Sequence, residues 1–375
     1  MVKYIEKEFK TIINKLKYID SWFWCRYTIN PYNGCEHACI YCDARSEKYY
    51  LHPNLDNEIY IKKDAKNKLD KRLKNARTLL PDLVALGGVC DAYQQAEKQY
   101  KNTRQILEVL HKYKYPVNLS TKSDLILRDL DLYSKIAEDT FCMLAFTITT
   151  FDEEIADFFE PIASPPEKRI QALKKIKKDY PKIHTGVNFM PIIPYFEDSD
   201  ENLEEVVERT KKANCDFVLF APGMSLRDSQ AQFFIKKMKD SKYKDRLKDL
   251  LGLYKGEMHP NNEYVSKINL KMLNLCNKYD LPYRAKRFIP NDYRKYNYIV
   301  AKILLDQAYY DQITGKPWST MQWAGLNLQN LQESILDFYA RGELKTLKNF
   351  TKKIIEFVEP HLKNVKKKGT LDTFL

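Results

Sequence analysis

Between about residues 25 and 223, short apolar runs rich in β-branched residues alternate with longer segments whose apolar positions recur every three to four residues. That alternation predicts repeated βα units around a parallel sheet. About six strands are expected, centred on 26–29, 83–86, 117–121, 143–148, 184–190 and 216–221. Leu69, Leu73, Ala76 and Leu80 make one helical face between them, and Thr103, Ile106, Leu107 and Leu110 make another. At 164–167, Ser164, two prolines and Glu167 read as a helix start with a capping box. From Met224 onward the alternation stops, and the chain reads as mostly helical with breaks at Gly252, Gly256, 259–262 and 314–317. The expected architecture is α/β: a partial (β/α)6 barrel with a mostly helical C-terminal extension. Its expected division is an N-terminal segment 1–24, a barrel 25–223 and an extension 224–375.

With 375 residues, 44% of them hydrophobic, the chain has the means to bury a large core. No charge-free apolar run approaches the roughly 18 residues of a membrane span, and the start "MVKYIEKEFK" lacks the apolar core of a signal peptide. No membrane partner and a cytoplasmic location are therefore expected. Eight cysteines in so long a chain make a poor disulfide framework, so free thiols or metal ligands are expected instead. The net charge of +12 permits a polyanionic partner, although a bias towards Lys, Asn, Ile and Tyr accounts for it equally well. The basic run at 364–369 reads as a solvated tail.

The chemistry concentrates in "NPYNGCEHACIYCDAR", where Cys35, Cys39 and Cys42 have no fourth ligand at finger-like spacing. A structural zinc site takes four ligands and a catalytic one takes three plus water. A four-iron cluster held by three thiolates leaves one iron open to an exogenous chelate. The spacing by itself leaves a stapling metal site and a catalytic cluster both open. His37, between the cysteines, is expected beside the ligands or at the surface rather than among them. Following the first strand of a parallel barrel, this loop falls at the C-terminal mouth, where such barrels keep their chemistry.

Cys-x3-Cys-x2-Cys, with Tyr41 just before the third cysteine, resembles the signature of the radical S-adenosylmethionine (radical SAM) superfamily. The blocks "GGVCDAYQQAEKQYKNTRQIL", "STKSDLILRDLDL" and "TITTFDEEIADFFEPIASPPEKRIQAL" follow in the order of its spore photoproduct lyase-like branch, the DNA repair photolyase-like proteins. The resemblance implies a [4Fe-4S] cluster on Cys35, Cys39 and Cys42. It also implies S-adenosylmethionine at the open iron, a reductant such as flavodoxin or ferredoxin, and cleavage to a 5′-deoxyadenosyl radical that takes hydrogen from a substrate. A nucleic acid is the substrate class the branch implies; a peptide or small molecule, or a cluster protein without turnover, are the alternatives.

In the same resemblance, Tyr41 packs on adenine or buttresses the cluster, Gly87 and Gly88 admit the methionine part, and Lys122 meets the carboxylate. Thr147 and Thr149 reach the ribose, while Asn188 and Ala221 contact adenine. A tight turn explains the two glycines equally well, and β-propensity the two threonines. Cys90 is either a hydrogen donor to a substrate radical or a small buried hydrophobe. Cys142, Cys215 and Cys276 are expected in the core. The chain departs from the branch at Asp43, where a second tyrosine is expected, and at Ala92 and Gln95, where prolines are common. Those departures put the thymine-dimer reaction in question.

Overall fold

The structure is a computed structural model and describes residues 2–368. Six parallel strands form its centre: β1 (Tyr27–Ile29), β2 (Val84–Leu86), β3 (Val117–Thr121), β4 (Cys142–Thr147), β5 (His184–Ile192) and β6 (Phe217–Pro222). They pair in sequence order, β1 to β6, and the short strand Asn14–Lys15 adds antiparallel to β1. All six expected strands are present, because strands covered on both faces must be continuously apolar. In β4 every residue is buried.

Helices cover the outside: α1 (Ala65–Lys74), α2 (Asn102–Lys112), α3 (Leu130–Asp139), α4 (Pro166–Asp179) and α5 (Asp200–Lys212). The face read on α2 holds, since Thr103, Ile106, Leu107 and Leu110 are fully buried. On α1, Leu69 and Leu73 are buried, but the helix stops at Lys74, so Ala76 and Leu80 are not part of that face. The start of α4 is where the prolines place it, without the expected capping box. Pro165 is the N-cap residue, Ser164 Oγ bonds the backbone N–H and carboxylate of Asp124, and Glu167 bonds Gln171 and Arg209 instead.

Gly186 in β5 shows how tightly the sheet packs, since a Cβ there would lie 2.4 Å from the Phe217 ring. Gly186→Ala should therefore destabilise the protein by about 1–3 kcal/mol through overpacking, read as a lowered urea midpoint with an unchanged slope.

The chain divides into two compact units, and not at 224. Among the described residues, one comprises 2–15 and 27–286; the other comprises 16–26 and 287–368. Helices α6 (Asp228–Lys239) and α7 (Asn262–Lys278) belong to the barrel unit, because Ile268, Met272 and Cys276 of α7 join the core that contains the strands. Gly252, read as a break, lies inside the helix Leu247–Tyr254. The N-terminal segment is also split. Lys3–Lys7 pairs with Glu58–Lys62, which pairs with Tyr32–Asn33, in a small side sheet on the barrel unit.

The second unit is helical, with Lys295–Ile313 and Ser319–Leu328 as its main pair. Its own core includes Leu304, Ala308, Met321, Ala324, Leu328 and Val358. Within it, Arg26 donates to Asn330 Oδ1 at 2.8 Å and to the Gln329 carbonyl at 3.0 Å, which binds the 16–26 segment to these helices. Side chains of the basic run from residue 364, and everything from 369, lie outside the described residues.

Candidate active site at the barrel mouth

The loop after β1 is held by its polar residues. Gly34 has φ +93°, and a Cβ there would meet the Glu58 and Leu55 carbonyls at 2.7 and 2.8 Å, so the turn into Cys35 requires glycine. Glu36 accepts from Tyr4 Oη at 2.7 Å and from the Ala96 N–H at 2.7 Å, while its own N–H donates to Gln94 at 3.0 Å. Arg45 grips Asp56 with two bonds of 2.7 and 2.8 Å and lies 3.6 Å over the Phe233 ring. A loop fixed at so many points presents its cysteines in a set arrangement.

Cys35, Cys39 and Cys42 all line one cavity of about 400 Å³. This volume is within the usual range for a small-molecule site. Gly87, Gly88, Cys90, Lys122, Thr147 and Ala221 line it too, together with Asp43 and Asp91. The cavity sits at the C-terminal ends of the strands, the end at which parallel barrels place their sites.

The two glycines separate in role. Gly87, at φ +78°, makes the turn, and a Cβ there would strike the Cys90 carbonyl at 2.7 Å. A Cβ on Gly88 would meet nothing within 4 Å, so its bare backbone leaves room on the cavity wall. Thr149 and Asn188 do not line the cavity. Thr149 lies two residues past the end of β4, and its carbonyl accepts from Asn202 at 3.0 Å. Asn188 is one layer down, donating at 2.9 Å to Ser120 Oγ, which does reach the cavity.

The electrostatics centre on two buried carboxylates that the sequence reading did not single out. Glu160 accepts from Tyr41 Oη, pairs with Arg169 Nη1 at 2.5 Å and stands 3.9 Å from Lys122 Nζ. Burial works against its ionisation, but the Arg169 and Lys122 cations outweigh it and hold Glu160 below the usual carboxylate range. Lys122 is also 5.5 Å from the centre of the Tyr41 ring. Burial opposes its charge, yet the Cys39 sulfur and Glu160 raise it above the ordinary lysine value. Tyr41 lines the cavity too, packed among the apolar residues around Phe159 with its hydroxyl on Glu160.

Asp91 is the second carboxylate. Burial opposes its charge, but His37 and the backbone N–H groups of Lys122 and Tyr93 hold it well below the usual range. His37 is buried at the wall of the same cavity, with Nε2 3.1 Å from Asp91 Oδ2. An acid embedded between apolar residues, as Glu160 is after "DFF", signals a buried partner in sequence because an unpaired one costs too much there.

The thiols are buried as well. Burial pushes Cys39 up to about 12 and also raises Cys35 and Cys42, so ionising them as ligands calls for a cationic metal beside them. Asp91 N–H donates to Cys35 Sγ at 3.4 Å, the kind of contact that stabilises a metal-bound thiolate. A cluster meets each thiolate at a different iron and does not need three ligands round one ion. Among the described residues no group of three His, Cys, Asp or Glu is arranged round a single-ion position.

Cys90 lines the cavity, but its Sγ lies 3.3 Å from the Tyr32 carbonyl among Tyr32, Ile59, Ile61 and Ala96. Burial raises its pKa to about 12. It is therefore a protonated thiol at the cavity wall. Cys142, Cys215 and Cys276 are buried away from the lining. Asp43 closes the rim, accepting from Tyr49 Oη at 2.6 Å, Ser225 Oγ at 2.6 Å and Arg227 at 2.6 and 2.7 Å.

Residues 29–210 match the family model of the Radical SAM superfamily. The chain carries a radical SAM domain. It is 33% identical over 187 residues to an uncharacterized protein of Methanocaldococcus jannaschii, covering 50% of this chain and 66% of that one. It is 30% identical over 214 residues to an uncharacterized protein of Mycobacterium tuberculosis, covering 56% of this chain and 62% of that one. The matches thus span just under two thirds of these relatives. Among solved structures, spore photoproduct lyase complexed with dinucleoside spore photoproduct aligns at TM-score 0.57 and 14% identity, over 74% of this chain and 79% of that one. At that identity the likeness is one of fold: the radical SAM domain has the barrel of the lyase. No described helix is long and apolar enough to cross a membrane.

Proposed function

We propose that this protein is a radical SAM enzyme acting on a nucleic acid, with Cys35, Cys39 and Cys42 holding a [4Fe-4S] cluster. The observation that carries the reading is the convergence of the three buried thiols, Gly88 and Lys122 on one cavity at the strand ends. When bound, the cluster and S-adenosylmethionine supply a 5′-deoxyadenosyl radical that takes a hydrogen atom from substrate.

The chain's own residues would then divide the work. Lys122, held over Tyr41 and near Glu160, offers its ammonium to the cofactor carboxylate. Gly88 leaves the methionine part its space, Thr147 and Ala221 line the wall for ribose and adenine, and Asn188 acts through Ser120. The hydrophobic packing of Phe159, Phe196 and Phe234 around the cysteine loop keeps water from the reacting region. A flavodoxin or ferredoxin would supply the electron.

The nucleic-acid assignment draws on the fold shared with the lyase and on the net charge of +12. Among the described residues Lys122 is the only lysine or arginine of the lining, so basic steering of the substrate would come from outside the cavity. The test is deoxyadenosine formation with and without DNA or RNA oligonucleotides, irradiated and not. Stimulation by an oligonucleotide supports the class; stimulation by peptides or small molecules alone overturns it.

Lys122→Ala should weaken S-adenosylmethionine binding by about 1.5–3 kcal/mol while leaving the iron content unchanged, measured by equilibrium binding to the loaded protein. An unchanged affinity would place the lysine's function elsewhere. Cys90→Ala should still cleave the cofactor but divert the final product, because abstraction precedes the return of hydrogen. If Cys90 is only a packing residue, the variant loses about 1–2 kcal/mol of stability and makes the normal product at wild-type yield in deuterated buffer.

A further inference from the structure

We propose that Asp91 is a positioning residue that couples the cysteine loop to the third strand's cofactor-binding end, fixing Cys35 and Lys122 relative to one another. This rests on the function proposed above. Asp91 contacts both sides through hydrogen bonds, one of them to a cysteine sulfur. Its N–H donates to Cys35 Sγ at 3.4 Å, and its carboxylate accepts the Lys122 N–H at 2.8 Å.

The rest of the carboxylate is committed in the same way. It accepts the Thr121 hydroxyl at 2.8 and 3.0 Å and the Tyr93 N–H at 2.8 Å, and it stands 3.1 Å from His37 Nε2. Neither ring nitrogen of His37 makes a hydrogen bond of good geometry among the described residues, and the Asp91 carboxylate, 3.1 Å from Nε2, is the charged group beside that ring. Although Asp91 reaches the cavity wall, its lone pairs are engaged by the protein and not offered to a ligand. A carboxylate that takes three hydrogen-bond donors and a close imidazole contact from three parts of the chain is a fixed joint.

Partners of this kind orient the groups that bind a metal or cofactor, and their loss typically costs about 10- to 100-fold in affinity or activity. Without the Asp91 carboxylate, the 121–123 turn that carries Lys122 loses its anchor, and the amide on Cys35 loses the brace that aims it. The cysteines themselves are untouched, so iron uptake and cofactor binding should separate.

The test compares the full chain with Asp91→Ala, Asp91→Asn and Thr121→Val after anaerobic reconstitution. Iron content, the electron paramagnetic resonance spectrum of the reduced protein with and without S-adenosylmethionine, and cofactor affinity are read for each. Asp91→Ala is expected to keep its iron, lose at least about tenfold in cofactor affinity and change the spectral shift produced by the cofactor. Asp91→Asn, which retains an acceptor for the N–H groups, should fall between it and wild type. Thr121→Val, which removes one donor and no charge, guards against misfolding of the alanine variant and should shift affinity in the same direction by less. In the metal-free protein, the His37 ring resonances should move in Asp91→Asn. Wild-type affinity and spectrum in Asp91→Ala, with the wild type itself loading iron and binding cofactor, overturn the assignment alone. A wild type that takes up no iron overturns the proposed function and this assignment with it.

Discussion

Cys39→Ala is expected to leave the reconstituted protein with well under half of the wild type's iron and sulfide and with no cofactor cleavage. Only three thiols line the cavity within the cysteine loop, so removing one strips a corner of the cluster of its ligand with no neighbouring thiolate in the loop to replace it. Cys90 also lines the cavity, but it sits among apolar residues near the Tyr32 carbonyl, poorly placed to substitute. The control is Cys142→Ala or Cys276→Ala, each a buried thiol away from the cavity. These should lose about 1–2 kcal/mol of stability and keep full iron. Equal iron in Cys39→Ala and the two controls would show that the loop is not the cluster site.

The second large effect is on stability. Glu160→Ala should destabilise the metal-free protein by about 3–5 kcal/mol, because it strands buried Arg169 and leaves Lys122 and the Tyr41 hydroxyl without their carboxylate. The pair is almost wholly enclosed, with side-chain exposures of 1% for Arg169 and 2% for Glu160, so solvent cannot take over the lost contact. Arg169 also donates to the Ser164 and Thr147 carbonyls at 2.5 and 2.9 Å, so the damage should spread to the strand end beneath the cavity. Urea unfolding measures it; a change under about 1 kcal/mol would mean that the network does little for the fold.

The barrel was legible because strands buried on both faces leave continuous apolar runs, which β4 shows at every position. The cysteine loop was legible because ligand spacing is a local property of the chain. What depends on distant contacts was not. Lys3–Lys7 carries no alternating pattern, and its place in the side sheet comes from pairing with Glu58–Lys62. Segment 16–26 belongs with residues more than 260 positions away, which no local pattern announces. Ser164 has the chemistry of a cap, but Asp124, brought alongside by the fold, competes for its hydroxyl. Strand ends account for the misplaced lining residues. β4 stops at Thr147, so Thr149 turns out of the wall, and Asn188, paired in register with Thr147, bonds to Ser120 instead of reaching the space above. Asp91 was visible only as part of a family block, since nothing in the sequence shows that a residue next to Cys90 meets Cys35, His37 and Lys122 together.

The central claim is that the cavity at the barrel mouth loads a cluster and uses it on S-adenosylmethionine. The most direct measurement is to reconstitute the full chain anaerobically, reduce it, add S-adenosylmethionine and follow 5′-deoxyadenosine and methionine by chromatography. About four irons per chain and formation of both products, abolished in Cys39→Ala, are predicted. Stoichiometric zinc with no iron, or a fully loaded cluster that binds the cofactor and never cleaves it with any reductant, would contradict the account.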